Sequence, residues 1–264
     1  GEMRDNAEPF EFEIIDVDET SFTIKWSDVT KLLSIGLSGS GSDLGDTRDR
    51  IEQILLENGT TEYTFTDLTP NLLYNIYLEL QYLHDLNSYE NVNVKTDGED
   101  ADAPVVAFDN DNLKQAVSEE VGVHTRDVTE KDIEYLERLS VIESEIASLK
   151  GLELAPNLRA LNIVYNQISD LTPIEELENL ETLSISYNQI QDLSSLENLT
   201  ALTFLNVNNN EVSDLSPLRN LSNLETLRIA YNQVGNIDLL ENFDQLQSLD
   251  ISGNPISDYS LVGD

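Results

Sequence analysis

The chain offers little to a catalyst. His84 and His124 are its only histidines, they lie far apart in the sequence, and there is no cysteine. Thiol nucleophiles, disulfides and cysteine-ligated metals are therefore excluded, and neither imidazole has a sequence neighbour that would make it half of a catalytic pair. The serines sit in no G-x-S-x-G elbow, and neither common glycine-rich phosphate loop is present. No enzyme activity is expected, and no cofactor is implied. Carboxylates are plentiful, so calcium is the metal to consider. Asp109 to Asn112 (DNDN) and Asp16 to Glu19 (DVDE) place oxygen ligands at short spacing, but neither runs on into the glycine and distal glutamate of an EF-hand loop. Helix capping accounts for the first and a solvated strand end for the second; no metal site is expected. A third set, Asp170, Asp192, Asp214 and Asp258 with Asn236 between, recurs at one spacing. A side-chain oxygen just before LTPI, LSSL or LSPL can accept backbone N–H groups where the chain turns, so this set reads as turn capping.

That spacing belongs to a repeat of 22 residues, which must position everything in the second half of the chain. Leu158, Leu180, Leu202, Leu224 and Leu246 keep it, and so do Asn166, Asn188, Asn210, Asn232 and Asn254. Each unit reads L-x-x-L-x-I/V-x-x-N-x-I/V-x-x-L. A degenerate earlier copy has Leu136, Leu139, Val141, Ile146, Leu149 and Leu152, with Ser144 in place of the asparagine. The L-x-L part alternates with period two, predicting a short strand with one buried face, and the later i, i+3 spacing suits a 3₁₀-like turn or an extended run on the opposite side. One such unit cannot bury its own leucines; stacked units can, which predicts a right-handed solenoid with a parallel sheet on its concave face. The asparagine is expected to turn the chain out of its strand while its amide satisfies buried backbone groups.

The stretches LRALNIVYNQISDLTPI and LETLSISYNQIQDLSSL resemble the leucine-rich repeats of bacterial internalins. FDNDNLKQAV and VTEKDIEYL before them are similar to that family's helical N-terminal cap, and the spacing of Leu113, Ala116 and Val117 independently suits a helix, with Asp111 or Asn112 as N-cap. The resemblance runs from about residue 104 to 264. Residues 8 to 97 instead show short alternating β segments separated by Gly, Asp, Asn and Ser. Trp26 is a core candidate, and LTPNLLYNIYLEL resembles the tyrosine-corner motif of fibronectin type III domains, with Tyr74 as the corner. A long piece, 39–60, departs from that pattern. The expected organisation is mixed but mainly β: a fibronectin type III-like β-sandwich over 1–97, an acidic linker over 98–104, a helical N-terminal cap over 105–135, and leucine-rich repeats over 136–264, six units with the last incomplete. The polar start lacks the apolar core of a signal peptide and looks trimmed.

Fourteen basic against 51 acidic residues give a net charge of −37, which repels nucleic acid and anionic membranes, and no apolar run is long enough to span a bilayer. Two readings of this charge stay open: a setting rich in cations, or simply an acidic, soluble surface. The repeat positions between the inward leucines and asparagine behave differently. They hold five acidic residues (Glu137, Glu143, Glu181, Glu225, Asp250) and three basic ones (Arg138, Arg159, Arg228), so this strip is near neutral. It also holds a column of Tyr165, Tyr187 and Tyr231, interrupted by Asn209, with Phe204 in a neighbouring column. Exposed tyrosine buries much area with few rotamers and is a common binding anchor; the competing explanation is that tyrosine merely suits a β surface. Tyr165, Tyr187, Phe204, Asn209, Arg228 and Tyr231 are the candidate partner-binding residues of the concave face. The resemblance implies a bacterial surface or secreted adhesin, extracellular or wall-associated, monomeric, binding a protein or glycan; its sequons at Asn58, Asn198 and Asn220 then carry no sugar. An intracellular repeat scaffold or regulatory subunit, or a structural spacer in a surface layer or matrix, are the alternatives.

Overall fold

In a computed structural model, residues 11–26, 31–40, 52–57, 59–81 and 87–262 are described. His84, the Asn58 sequon and the greater part of the 39–60 piece lie outside the described residues. By its contacts the chain forms two compact units: Gly1–Pro104 with Ser118–Asp132, and Val105–Val117 with Ile133–Asp264.

The first unit holds seven strands among the described residues: β1 (Phe12–Ile15), β2 (Phe22–Trp26), β3 (Lys31–Ser40), β4 (Glu52–Leu55), β5 (Glu62–Phe65), β6 (Leu73–Gln81) and β7 (Asn87–Lys95). They form two antiparallel sheets, ordered β1-β2-β5 and β4-β3-β6-β7. Alternation fixes which residues turn inward. In β2, Phe22, Ile24 and Trp26 are buried while Lys25 is exposed. Both sheets feed one core, to which β1, β2 and β5 give Ile14, Phe22, Ile24, Trp26 and Phe65, and β3, β6 and β7 give Ile35, Leu37, Tyr74, Ile76, Leu78, Val92 and Val94. Tyr74 is buried, and its hydroxyl accepts the Thr69 N–H at 2.9 Å.

Two charged side chains are buried among the described residues of this unit, Lys95 and Asp132. Lys95, at the end of β7, is 1% exposed, a state that is tolerable only if the ammonium is paired. Its Nζ donates to Asp100 Oδ2 and Asp132 Oδ1, both at 2.8 Å. Asp132 also accepts from Arg126 Nη1 at 2.5 Å and Nη2 at 3.1 Å, and Arg126 Nε reaches Asp97 at 2.8 Å. Burial alone would raise the Asp132 pKa, but the bonds from Arg126, Lys95 and the Thr129 N–H outweigh it and leave it below the usual carboxylate range.

In the second unit the helix α1 (Asp111–Glu120), which runs on into the first unit after Val117, buries Leu113 and Val117. Its N-cap is neither Asp111 nor Asn112, as the spacing suggested, but Asn110, whose Oδ1 accepts the Leu113 N–H at 3.0 Å. Asn112 instead donates to the Ser144 carbonyl. Six three-residue strands follow: β8 (Arg138–Ser140), β9 (Ala160–Asn162), β10 (Thr182–Ser184), β11 (Phe204–Asn206), β12 (Thr226–Arg228) and β13 (Ser248–Asp250). They pair in parallel and in chain order, with Leu139, Leu161, Leu183, Leu205, Leu227 and Leu249 in one row. Short 3₁₀ turns such as Thr172–Ile174, Ser194–Leu196 and Ser216–Leu218 return the chain on the other side. The aspartate column caps these turns. Asp170, Asp192, Asp214 and Asp258 accept the N–H two residues on at 2.8–2.9 Å, and Asn236 does the same for Asp238.

The repeated asparagines reach further than their own turns. Asn210 Oδ1 accepts the Ile190 N–H at 2.9 Å and its Nδ2 donates to the Ile185 carbonyl at 2.9 Å, both in the preceding repeat, while Nδ2 also reaches Val207 in its own. Asn166, Asn188, Asn232 and Asn254 bridge back in the same way. A second, sparser ladder runs elsewhere in the repeat, where Asn157, Asn179 and Asn223 donate to the carbonyls of Glu134, Pro156 and Thr200.

Candidate functional site

Each of the repeat strands is followed, three residues after its end, by a residue in the left-handed backbone region. These are Glu143, Tyr165, Tyr187, Asn209 and Tyr231, with φ between 51° and 56°, and then Gly253 at 68°. They form one column, because each N–H donates to the next repeat: Tyr165 to Ser186, Tyr187 to Asn208, Asn209 to Ala230 and Tyr231 to Ser252. Glycine and asparagine suit this conformation; a large side chain there is strained, by an amount on the order of 1–3 kcal/mol. Three tyrosines hold it, and all three are exposed, at 47%, 42% and 61% for Tyr165, Tyr187 and Tyr231. The sequence assigned the column its outward direction; the left-handed backbone was missed. Asn209 and Gly253 were the signal, since both residue types favour positive φ.

The candidates fall into three groups. Tyr165 and Tyr187 stack with ring centroids 4.1 Å apart and planes 15° from parallel, and with Asn209 they line one shallow groove of about 560 Å³. Glu143, Glu145, Asn166, Gln167 and Asn188 complete its polar lining. A hydrogen bond that the Tyr165 hydroxyl donates to Tyr187, slight desolvation and the charges of Tyr187 and Glu143 raise the Tyr165 phenol above its usual pKa. Tyr231 stands apart, its ring over Gly253, where a Cβ would come within 2.5 Å of the ring. Phe204 on β11 is half-buried and pairs with Arg228, whose guanidinium carbon lies 5.6 Å from the ring centroid. On the same face Arg159 meets Glu181 at 3.3 Å, an exposed pair of little energetic weight.

The other polar candidates are accounted for by structure. Half-buried His124 donates from Nε2 to the Asn93 carbonyl at 2.6 Å, and burial lowers its pKa. The Asp16–Glu19 stretch ends in a turn, with Asp18 accepting the Thr20 and Ser21 N–H groups. Among the described residues no group of three or more His, Asp or Glu is placed to hold a metal, and no helix is long and apolar enough to cross a membrane.

Residues 156–198, 178–220 and 222–262 match the family of Leucine Rich repeats (2 copies). No curated protein matches the chain. Among solved structures, an internalin (inlF) from Listeria monocytogenes is 31% identical with a TM-score of 0.58, over 61% of this chain and 49% of that one. Internalin C2 (inlC2) from the same organism is 28% identical over 60% of this chain and 90% of its own, with a TM-score of 0.37. The functional domain of InlJ, also from Listeria monocytogenes and described as including a cysteine ladder, is 23% identical over 58% and 38%, with a TM-score of 0.47. The chain thus carries leucine-rich repeats similar in structure to Listeria internalins, and it spans about half the length of the first of these relatives.

Proposed function

We propose that this chain is the binding part of a bacterial cell-surface or secreted protein, adhesin-like and non-enzymatic, which engages a protein or glycan on the strand side of its repeats. In this reading the first unit is a fibronectin type III-like sandwich with Tyr74 as its tyrosine corner, α1 belongs to a helical cap on the first repeat, and the chain works outside the cell as a monomer. The observation that carries the reading is the tyrosine column. Inward positions of the repeat are explained by the stack, and the asparagines and aspartates by backbone bonding. The exposed tyrosines occupy backbone that favours glycine or asparagine, so neither burial nor conformation selects them. Strain kept at an exposed position is characteristic of sites selected for contact with something else. The similarity to internalins supports the surface location as an analogy of fold.

The test compares the full chain with a variant carrying Tyr165→Ala, Tyr187→Ala, Phe204→Ala and Tyr231→Ala, each immobilised and challenged with protein and glycan arrays. The native chain is expected to retain ligands that the variant loses, while both give the same circular dichroism. Identical retention by both proteins would make the column a feature of a structural spacer instead.

A further inference from the structure

The groove beside the tyrosine stack has a chemical preference of its own. Glu143 precedes Tyr165 in the column and Glu145 lies two residues on; both sit in left-handed backbone, with φ of 51° and 54°, and both are exposed. Neither has an ion-pair partner among the described residues, and no basic side chain lines the groove. The Glu143 N–H pairs with the Val164 carbonyl, which holds its backbone one strand spacing, about 4.8 Å, from that of Tyr165. A tyrosine face carries the negative part of the ring quadrupole, so the ring and the two carboxylates attract the same kind of group, a cation with a flat or apolar body. A guanidinium meets both demands, stacking on a ring while its N–H fork bonds carboxylates. A neutral sugar could stack on the rings, but it would leave two carboxylates partly stripped of water and uncompensated.

We propose that the groove formed by Glu143, Glu145, Tyr165 and Tyr187 receives an arginine side chain from an extended, basic segment of a partner protein. The proposal rests on the partner-binding reading above and names the partner's class. The column also sets a spacing along the segment. Tyr231 lies three strand spacings beyond Tyr165, roughly 14 Å, which matches four residues of extended chain at about 3.4 Å each. An arginine at Tyr165 therefore brings a residue four positions away to Tyr231, whose exposed ring suits an apolar side chain.

The probe is the blocked peptide Gly-Arg-Gly-Ser-Gly-Leu-Gly, compared with the same peptide carrying citrulline for arginine, titrated into the full chain at low salt and followed through tyrosine ring resonances. The arginine peptide is expected to bind about tenfold more tightly than the citrulline one, the sum of one exposed cation–π contact and one charge-assisted pairing. The double variant Tyr165→Asn/Tyr187→Asn should reduce that advantage to about twofold. It changes no charge, and it folds because asparagine already serves at Asn209. Glu143→Gln/Glu145→Gln should do the same, whereas Glu175→Gln/Glu176→Gln, just after a 3₁₀ turn, should leave the advantage intact. Three results overturn the proposal: no binding of the arginine peptide at millimolar concentration, equal binding of both peptides, or equal losses from either pair of glutamates with none from the tyrosines. If the arrays instead give a neutral glycan that the tyrosine variant loses, the binding reading stands and this one falls; if they give nothing and the peptide also fails, both fall.

Discussion

Asn209 and Asn210 are adjacent in the chain, yet only Asn210 is buried, with its amide bonded to three backbone carbonyls and one N–H across two repeats. Replacing it with alanine leaves buried polar groups of both repeats without partners, at about 1–3 kcal/mol for each. Asn210→Ala is therefore expected to lower stability by about 2–4 kcal/mol in a urea melt, and Asn209→Ala by under about 1 kcal/mol. Equal losses would mean that the ladder is not what holds adjacent repeats together. The two roles were separable in the sequence by spacing alone, since Asn210 recurs every 22 residues and Asn209 shares its column with Glu, Tyr and Gly. The same variety hid the backbone. A left-handed position announces itself when glycine or asparagine recurs, and here tyrosine occupies half of it. The arginine-accepting groove was hidden too, because it depends on the distance between neighbouring rungs.

At the scale of elements, alternation made the strands of the first unit legible, and the L-x-L and i, i+3 patterns gave the strands and turns of the second. Long-range charge was not legible. Lys95 and Asp132 are 37 residues apart, and no local pattern pairs them. Their unit should respond to acid in two stages. Burial lowers the His124 pKa beneath its ordinary 6.5, so below that pH the unfolded chain binds the extra proton and stability falls as pH drops. Asp132 lies below its ordinary 3.8, so its contribution is present above that value and is lost as pH falls through its folded pKa. Glu120, raised by burial, acts in the opposite sense near its usual 4.5. Trp26 is the only tryptophan and is buried in this unit, so its fluorescence reports the unit's melting directly. The melting temperature is expected to decline from about pH 6.5 downward and again below about pH 4. His124→Gln should flatten the upper decline and leave the lower one; an unchanged upper decline would take His124 out of the account.

Over the whole molecule the net charge of −37 sets the conditions under which either unit is stable. Carboxylates that cannot separate repel one another, and at 1 M salt the screening length falls to about 3 Å, shorter than the distance between neighbouring rungs. The melting temperature should therefore rise by several degrees between 10 mM and 1 M NaCl; a flat response would show that the charge is already dispersed enough to be harmless. Within the repeats, the asparagine ladder has a further consequence for how such a chain can change over generations. Each rung offers its neighbour the same two backbone groups and asks for the same two in return, so any rung can follow any other. A gene losing the codons for residues 188–209 would still encode matching rungs, with Tyr187 now leading directly into Asn210 and no gap before Tyr231. Duplication would lengthen the column as readily, which makes the reach of the tyrosines an inheritable dimension, adjustable by whole units without redesign of the joint.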